Sequence, residues 1–210
     1  MKKLTLSMVS VLLLGGVSLN ADSSDKAFYE PSESGVYVGL GYGYYNHNCS
    51  NINFATNPSI GLDAKTMMLQ GGYKYNPYLS FEARYWYGFG DIHQYGGEAP
   101  GSYSGDVNTW GIYLKPTIPV EKGFDLYALV GYGSTSVEID KDKWDVDNFS
   151  WGFGLQLEVM ENLSVFGDYV SNASADSFSY TYTSGTNVSD IDAYINVYTF
   201  NFGVNYRFAL

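Results

Sequence analysis

The sequence predicts an all-β fold, an eight-stranded antiparallel up-and-down transmembrane β-barrel, and three observations carry that reading. First, the last stretch alternates strictly. Tyr198, Phe200, Phe202, Val204, Tyr206, Phe208 and Leu210 fall on one face, and Thr199, Asn201, Gly203, Asn205 and Arg207 on the other. Second, seven earlier segments repeat this period, and the connections between them alternate between long and short. Third, the bulky face would overfill the interior of an eight-stranded barrel, while the Gly-rich face would make a poor water-facing surface. Inverting the barrel resolves both problems, with large apolar groups facing lipid and small polar groups facing the lumen.

Taken in order, the chain opens on Lys2 and Lys3, an apolar stretch from Leu4 to Val17, and the small residue Ala21. Residues 1–21 therefore read as a secretory signal peptide, too short for a membrane span. Residues 22–34 are polar and irregular and are expected to be a mobile N-terminal segment. The barrel is expected over residues 35–210.

Strand one, 35–45, sets Val36, Val38, Leu40, Tyr42 and Tyr44 against Gly39, Gly41 and Gly43. Inward glycines make room in a narrow barrel. Strand two, 62–75, is blurred by Met67 and Met68, and Asn76-Pro77-Tyr78 turns it into strand three, 79–89. Strand four, 106–118, sets Trp110, Ile112 and Leu114 against Thr109, Gly111, Tyr113 and Lys115. Strand five, 124–137, sets Phe124, Leu126 and Ala128 against Asp125, Tyr127 and Leu129. Strand six, 148–159, has clear alternation, strand seven covers 163–171, and the final strand begins near Ala193.

Connections after strands one, three, five and seven hold roughly 16, 16, 10 and 21 residues, and the others roughly 3, 5 and 3. All long connections thus fall at one end, as in barrels with short periplasmic turns and long external loops. Aromatics populate both strand ends, matching two interfacial girdles. The inward set carries Lys74, Glu82, Arg84, Lys115, Asp125, Glu158, Asp168 and Arg207, four bases and four acids. Buried charges must be paired, so these eight are expected to form a lumen charge network rather than an ion path.

The signal peptide, the first strand G-V-Y-V-G-L-G-Y-G-Y-Y, the segment G-Y-K-Y-N-P-Y-L-S-F-E-A-R-Y and the aromatic end N-F-G-V-N-Y-R-F-A-L together resemble the OmpA/OmpX-type small outer-membrane β-barrels of Gram-negative bacteria. That resemblance implies a place in the cell outer membrane, among its lipids and lipopolysaccharide. It also implies that Tyr206, Phe208 and Leu210 act as an insertion signal for the barrel-assembly machinery, although the usual last residue of the family is Phe. No peptidoglycan-binding domain follows the barrel, so a wall-tethering role is not expected.

Composition narrows the chemistry. Without residues 1–21, nine basic residues face 22 acidic ones, which disfavours a nucleic-acid partner. The lone Cys49 admits no internal disulfide and reads as a free thiol, with an intermolecular bridge as the alternative. His47 and His93 both fall in expected loops and complete no zinc or catalytic arrangement. The acidic loop 138–147 lacks the spacing of a calcium loop and reads as solvated, with cation bridging to lipopolysaccharide as the alternative. No catalytic, cofactor or metal residues are assigned, and no enzyme activity is expected. Two functions stay open: a structural or surface-interaction barrel that meets an extracellular ligand through its loops, and a small-solute or ion channel of porin type.

Overall fold

The period-2 segments all form strands, and the strands run further than the lipid-facing pattern marks. The computed structural model describes residues 34–51, 60–95, 100–121, 123–139, 142–184 and 187–209. Residues 1–33, which hold the expected signal peptide and most of the N-terminal segment, lie outside the described residues, as do Leu210 and the side chains of Cys49 and of 139–144.

The strands are β1 (Gly35–Asn51), β2 (Ile60–Asn76), β3 (Leu79–Tyr95), β4 (Gly101–Tyr103), β5 (Gly105–Glu121), β6 (Phe124–Ile139), β7 (Asp142–Met160), β8 (Leu163–Ser184) and β9 (Asn187–Ala209). Sequence neighbours pair antiparallel, and β1 also pairs with β9, which closes the ring. The short β4 is a piece of the β5 strand. Tyr87 faces Asn108 and Ile92 faces Tyr103, so the same register resumes beyond a gap in the ladder at 88–91 and 104–107. The closed barrel therefore has eight strands, and closure leaves no sheet edge within the lipid.

The register fixes the barrel's width. From Val36 it runs through Tyr73, Phe81, Leu114, Val130, Trp151, Ser171 and Tyr198, and returns to β1 at Asn46, ten residues along. Ten residues at ~3.3 Å, set against eight strand spacings of ~4.8 Å, give a tilt of ~40° and a backbone radius of ~8 Å. Such an interior holds one layer of side chains from each wall and little more.

The short turns use residues suited to them. Tyr78 N–H donates to Asn76 Oδ1 at 2.8 Å, and Gly123 and Asn162 adopt left-handed φ values of 76° and 68°. At the other end the strands run on past the outer aromatics, into segments expected to be loops: 46–51, 90–95, 138–139, 142–147, 172–184 and 187–192 are all strand. Asn, Ser and Asp give these segments a loop-like composition, but among the residues whose burial is described period 2 persists with its polarity reversed. Tyr45, Ala64, Ile92, Val107, Val137 and Val197 form a buried inward cluster with Leu62 and Val146 against it. The exposed outward residues there include Lys65, Asp91, His93, Asp106, Glu138 and Asp147. Below, the exposed outward set is apolar, including Leu40, Met67, Leu69, Ile112, Phe153 and Phe202. The change marks the edge of the lipid: above it the outer wall meets water, so the apolar side turns inward.

Two irregularities sit at this boundary. The β2–β3 register shifts between Asp63 and Lys65, where Gly90 takes a φ of 81°, and the β8–β9 register shifts between Ser171 and Ala173. Beyond Trp151–Ser171 the β7–β8 ladder stops among the described residues. There β7 stays paired to β6 as far as Asp142, and β8 stays paired to β9 as far as Ser184.

Candidate functional site

The inward faces of the strands at membrane level converge on one polar cluster. Alternation on β3 turns Glu82, Arg84 and Trp86 inward, and alternation on β8 turns Phe166, Asp168 and Val170 inward to meet them. Arg84 Nε lies 2.5 Å from Glu82 Oε1 and Arg84 Nη2 lies 2.8 Å from Asp168 Oδ2, with all three side chains fully buried. Lys115 of β5 reaches Glu82 Oε2 at 3.1 Å, and its ammonium lies 4.1 Å from the Tyr127 ring centroid. Two acids thus face two bases at the centre of the barrel, which offsets the large cost of dehydrating each.

Neutral donors complete the shell. Tyr37 Oη donates to Glu82 Oε2 at 2.5 Å, and Tyr127 Oη donates to Asp168 Oδ2 at 2.7 Å. Asn201 Nδ2 donates to Asp168 Oδ1 at 2.8 Å, and its own Oδ1 accepts from Trp86 Nε1 at 2.8 Å. Towards the outer end, Tyr113 Oη and Ser150 Oγ lie 3.0 Å apart, as do the Thr109 and Thr135 hydroxyls.

The inward glycines are sockets for these aromatics. A Cβ on Gly72 would collide with the Tyr37 ring, one on Gly154 with Tyr127, one on Gly203 with Phe166, and one on Gly111 with Tyr113. Met68, Trp86, Leu129 and Val170 fill the remaining space as one buried cluster with Tyr113, Tyr127 and Phe166.

Of the eight inward charges singled out in the sequence, the structure brings Glu82, Arg84, Lys115 and Asp168 together. Arg207 and Glu158 meet separately and more loosely, at 3.8 Å and partly exposed. Lys74 of β2 and Asp125 of β6 lie towards the same short-turn end and are half-buried, outside the central cluster. Tyr206 and Phe208 are exposed on the lipid-facing wall with ring centroids 4.9 Å apart.

The two histidines lie apart, above the lipid. His47 Nδ1 is 3.5 Å from Tyr45 Oη, and burial lowers its pKa to about 4. His93 is exposed on the outer wall, 2.8 Å from Ser102 Oγ. Among the described residues no group of three or more His, Cys, Asp or Glu side chains could hold a metal ion.

Sequence reasoning placed Tyr113 and Tyr127 on the inward face but gave them no role, and it left Tyr37 unassigned. The signal was available: Tyr37, Tyr113 and Tyr127 break the small-residue rule of that face, and each has a glycine on its own or a neighbouring strand to lie against.

Residues 9–208 match the family model described as outer membrane protein beta-barrel domain. No curated sequence matches the chain. Among solved structures it is similar to the outer membrane protein OprG from Pseudomonas aeruginosa, at 12% identity over 87% of this chain and 100% of that one, with a TM-score of 0.59. It is similar to the outer membrane protein AlkL, solved in DMPC lipid bilayers, at 14% identity over 92% and 98%, with a TM-score of 0.56. Neisserial surface protein A is a third, at 14% identity over 84% and 100%, with a TM-score of 0.51. At these identities the likeness establishes the fold.

Proposed function

The chain belongs to the family of outer membrane protein β-barrel domains, and from that premise we propose that it serves as a closed structural barrel that meets its surroundings through its outer extension. It is no enzyme on this reading, and it conducts no solute. The observation that carries the reading is the burial at the centre, where the Glu82, Arg84 and Asp168 side chains are packed together with no exposed surface. An apolar cluster around Tyr45 and Ile92 lies above it. A solute would have to displace both layers, one of them ion-paired, in an interior with a backbone radius of only ~8 Å. On this reading residues 1–21 are removed on export, and the barrel-assembly machinery inserts the product through its final strand.

Planar-bilayer recording of the purified, refolded barrel tests it. The expected result is electrical silence, with no size-dependent swelling of barrel-loaded liposomes. Stable open-channel currents, abolished by a bulky residue at Gly39 or Gly152, would overturn the closed reading. Gly39 is a demanding position for such a substitution, because a Cβ there would strike Asn205 Oδ1 and lie 2.8 Å from Gln70 Cγ.

A further inference from the structure

Between β7 and β8 the wall is closed only up to the edge of the lipid. Their last ladder pair is Trp151–Ser171, and Ser150 Oγ donates to the Ser171 carbonyl oxygen at 2.8 Å where the ladder ends. Beyond that point β8 turns away. The Asn172 carbonyl oxygen lies 3.3 Å from the place a Cβ on Gly133 of β6 would take, so the β8 backbone leans in over the lumen past β7. Asn172 is fully buried there, and its Nδ2 donates to Thr199 Oγ1 of β9 at 3.3 Å. The β7 strand does not follow. It stays paired to β6 from Ser150 to Asp142, and over that length its other edge has no strand partner among the described residues. Alternate residues of such an edge direct an N–H and a C=O away from the sheet, which makes it a template for one more strand.

The wall beside this edge fixes the chemistry of the strand that fits it. Asp145 and Asp147 of β7 are exposed on the outer face, where they are the nearest cross-strand neighbours of anything paired to the edge. Tyr132 Oη donates to Asp147 Oδ2, which holds that carboxylate in place. Further round the wall stand the exposed Glu138 of β6 and Asp106 of β5, directly opposite each other in register. Like charges so placed repel, and a cation brought close relieves them.

Length and charge then single out β7. The edge from Asp142 to Ser150 runs ~26 Å, enough for a strand of ordinary length. The β8 strand also has a side without a strand partner beyond Asn172, because its ladder there is with β9 alone. The two edges differ in sequence. Residues 142–147 read D-K-W-D-V-D, three acids to one base, whereas residues 172–184 hold the single acid Asp176 and no base. A basic strand therefore gains its ion contacts on β7.

We propose that the β7 edge above the lipid binds an extended cationic peptide, which adds a strand antiparallel to β7 and sets its Lys or Arg side chains over Asp145 and Asp147. Main-chain hydrogen bonds supply the affinity, and the carboxylates choose a basic strand over an acidic one. The proposal rests on the reading that the outer extension stands in water and meets its surroundings there.

Fluorescence anisotropy of short labelled peptides on the full barrel in nanodiscs tests it. The probes are a peptide alternating Lys and Thr, its counterpart alternating Glu and Thr, and two forms of the first, N-methylated at every Lys or at every Thr. The Lys and Thr peptide is expected to bind and the Glu and Thr peptide not to. Each N-methylated form keeps the charge but loses the ladder donors along one edge, so at least one of the two should bind at least about tenfold more weakly than the parent. Asp145→Asn combined with Asp147→Asn should weaken the parent about three- to tenfold, as loss of two exposed ion contacts does. Asp91→Asn, on β3, should leave it unchanged. No binding of the Lys and Thr peptide, or binding of both N-methylated forms as tight as the parent's, overturns the strand addition. Equal binding of the Glu and Thr peptide overturns the role of the carboxylates. Each variant is first checked for the heat-modifiable gel mobility of a folded barrel. A wild-type chain that lacks this mobility would instead sink the barrel reading beneath the proposal.

Discussion

Glu82→Ala removes the carboxylate on which the central cluster turns. Its two oxygens accept from Arg84 Nε at 2.5 Å, Tyr37 Oη at 2.5 Å and Lys115 Nζ at 3.1 Å. Without it, two cations are left against Asp168 alone. At an effective dielectric of about 20, each lost ion contact is worth roughly 5–7 kcal/mol before solvation is counted. Relief of the carboxylate's own dehydration returns several kcal/mol, leaving a net loss of about 3–5 kcal/mol, as for other buried pairs stripped of one partner. Lys115 keeps Gln156 Oε1 at 3.5 Å and the Tyr127 ring, which holds the loss towards the lower figure. The assay is urea unfolding of the barrel in lipid vesicles, followed by tryptophan fluorescence and by gel mobility. Arg84→Met and the double variant complete a cycle, and the double should cost at least about 2 kcal/mol less than the sum of the singles. Additive losses, or a single-variant loss below about 1 kcal/mol, would refute the claim that these charges act as one unit.

Three further outcomes follow from the geometry. Gly72→Val drives a side chain into the Tyr37 ring and towards the Phe81 carbonyl at 2.6 Å, and should lower the same unfolding free energy by about 1–3 kcal/mol; full stability would deny the socket role. Arginine substitutions map the reversal of polarity. Phe202→Arg on the lipid face should cost about 2–4 kcal/mol, Ser136→Arg on the outer wall above it within about 0.5 kcal/mol of nothing, and Val107→Arg, facing inward at 2% exposure, more than either; equal costs would place all three in one solvent. His47 carries a pH dependence. Its pKa falls from about 6.5 unfolded to about 4 in the fold, so the native state binds fewer protons between those values. Its contribution is complete above about pH 6.5 and is lost as the pH falls towards 4, by at most about 3 kcal/mol and by less where water reaches the ring. An NMR titration of the His47 ring should find a midpoint near 4, and a midpoint near 6.5 would show that the imidazole is solvated.

What the sequence made legible, and what it hid, follows from which solvent each segment meets. Lipid imposes a one-sided rule, so Phe200, Phe202 and Val204 could be read as an outer face with no knowledge of their neighbours. Inward charges could be assigned by parity, but their grouping could not. Whether Arg84 meets Asp168 depends on the ten-residue stagger of the whole ring, which no single strand contains. Arg207 illustrates this: four acids share its side of the wall in sequence, and in the fold it meets Glu158. The outer extension was hidden for another reason. Asn46, Asn48 and Tyr95 lie in segments with the composition of a loop, and composition cannot separate a loop from the watered face of a strand.

The reversal above the lipid nevertheless leaves a trace in the sequence. On β1 the exposed apolar residues occupy even positions through Tyr44, and the buried one beyond is Tyr45. On β5 they are even from Trp110 onward, while Val107 is odd. On β9 they are even from Tyr198, while Val197 is odd. The backbone alternates through these points, so the odd residues still face inward; only the identity of the apolar side has changed. A change of parity in the apolar residues within one uninterrupted strand is therefore the mark of a strand leaving lipid for water. A loop would lose the period altogether, and a bulge would shift both faces together. By this criterion the length of β1 beyond Tyr44 measures how far the barrel stands clear of the membrane. The seven residues from Tyr45 to Asn51, at ~3.3 Å each and tilted by ~40°, lift its rim by ~18 Å. That height holds the buried cluster of Tyr45, Ile92 and Val107 beyond the apolar band.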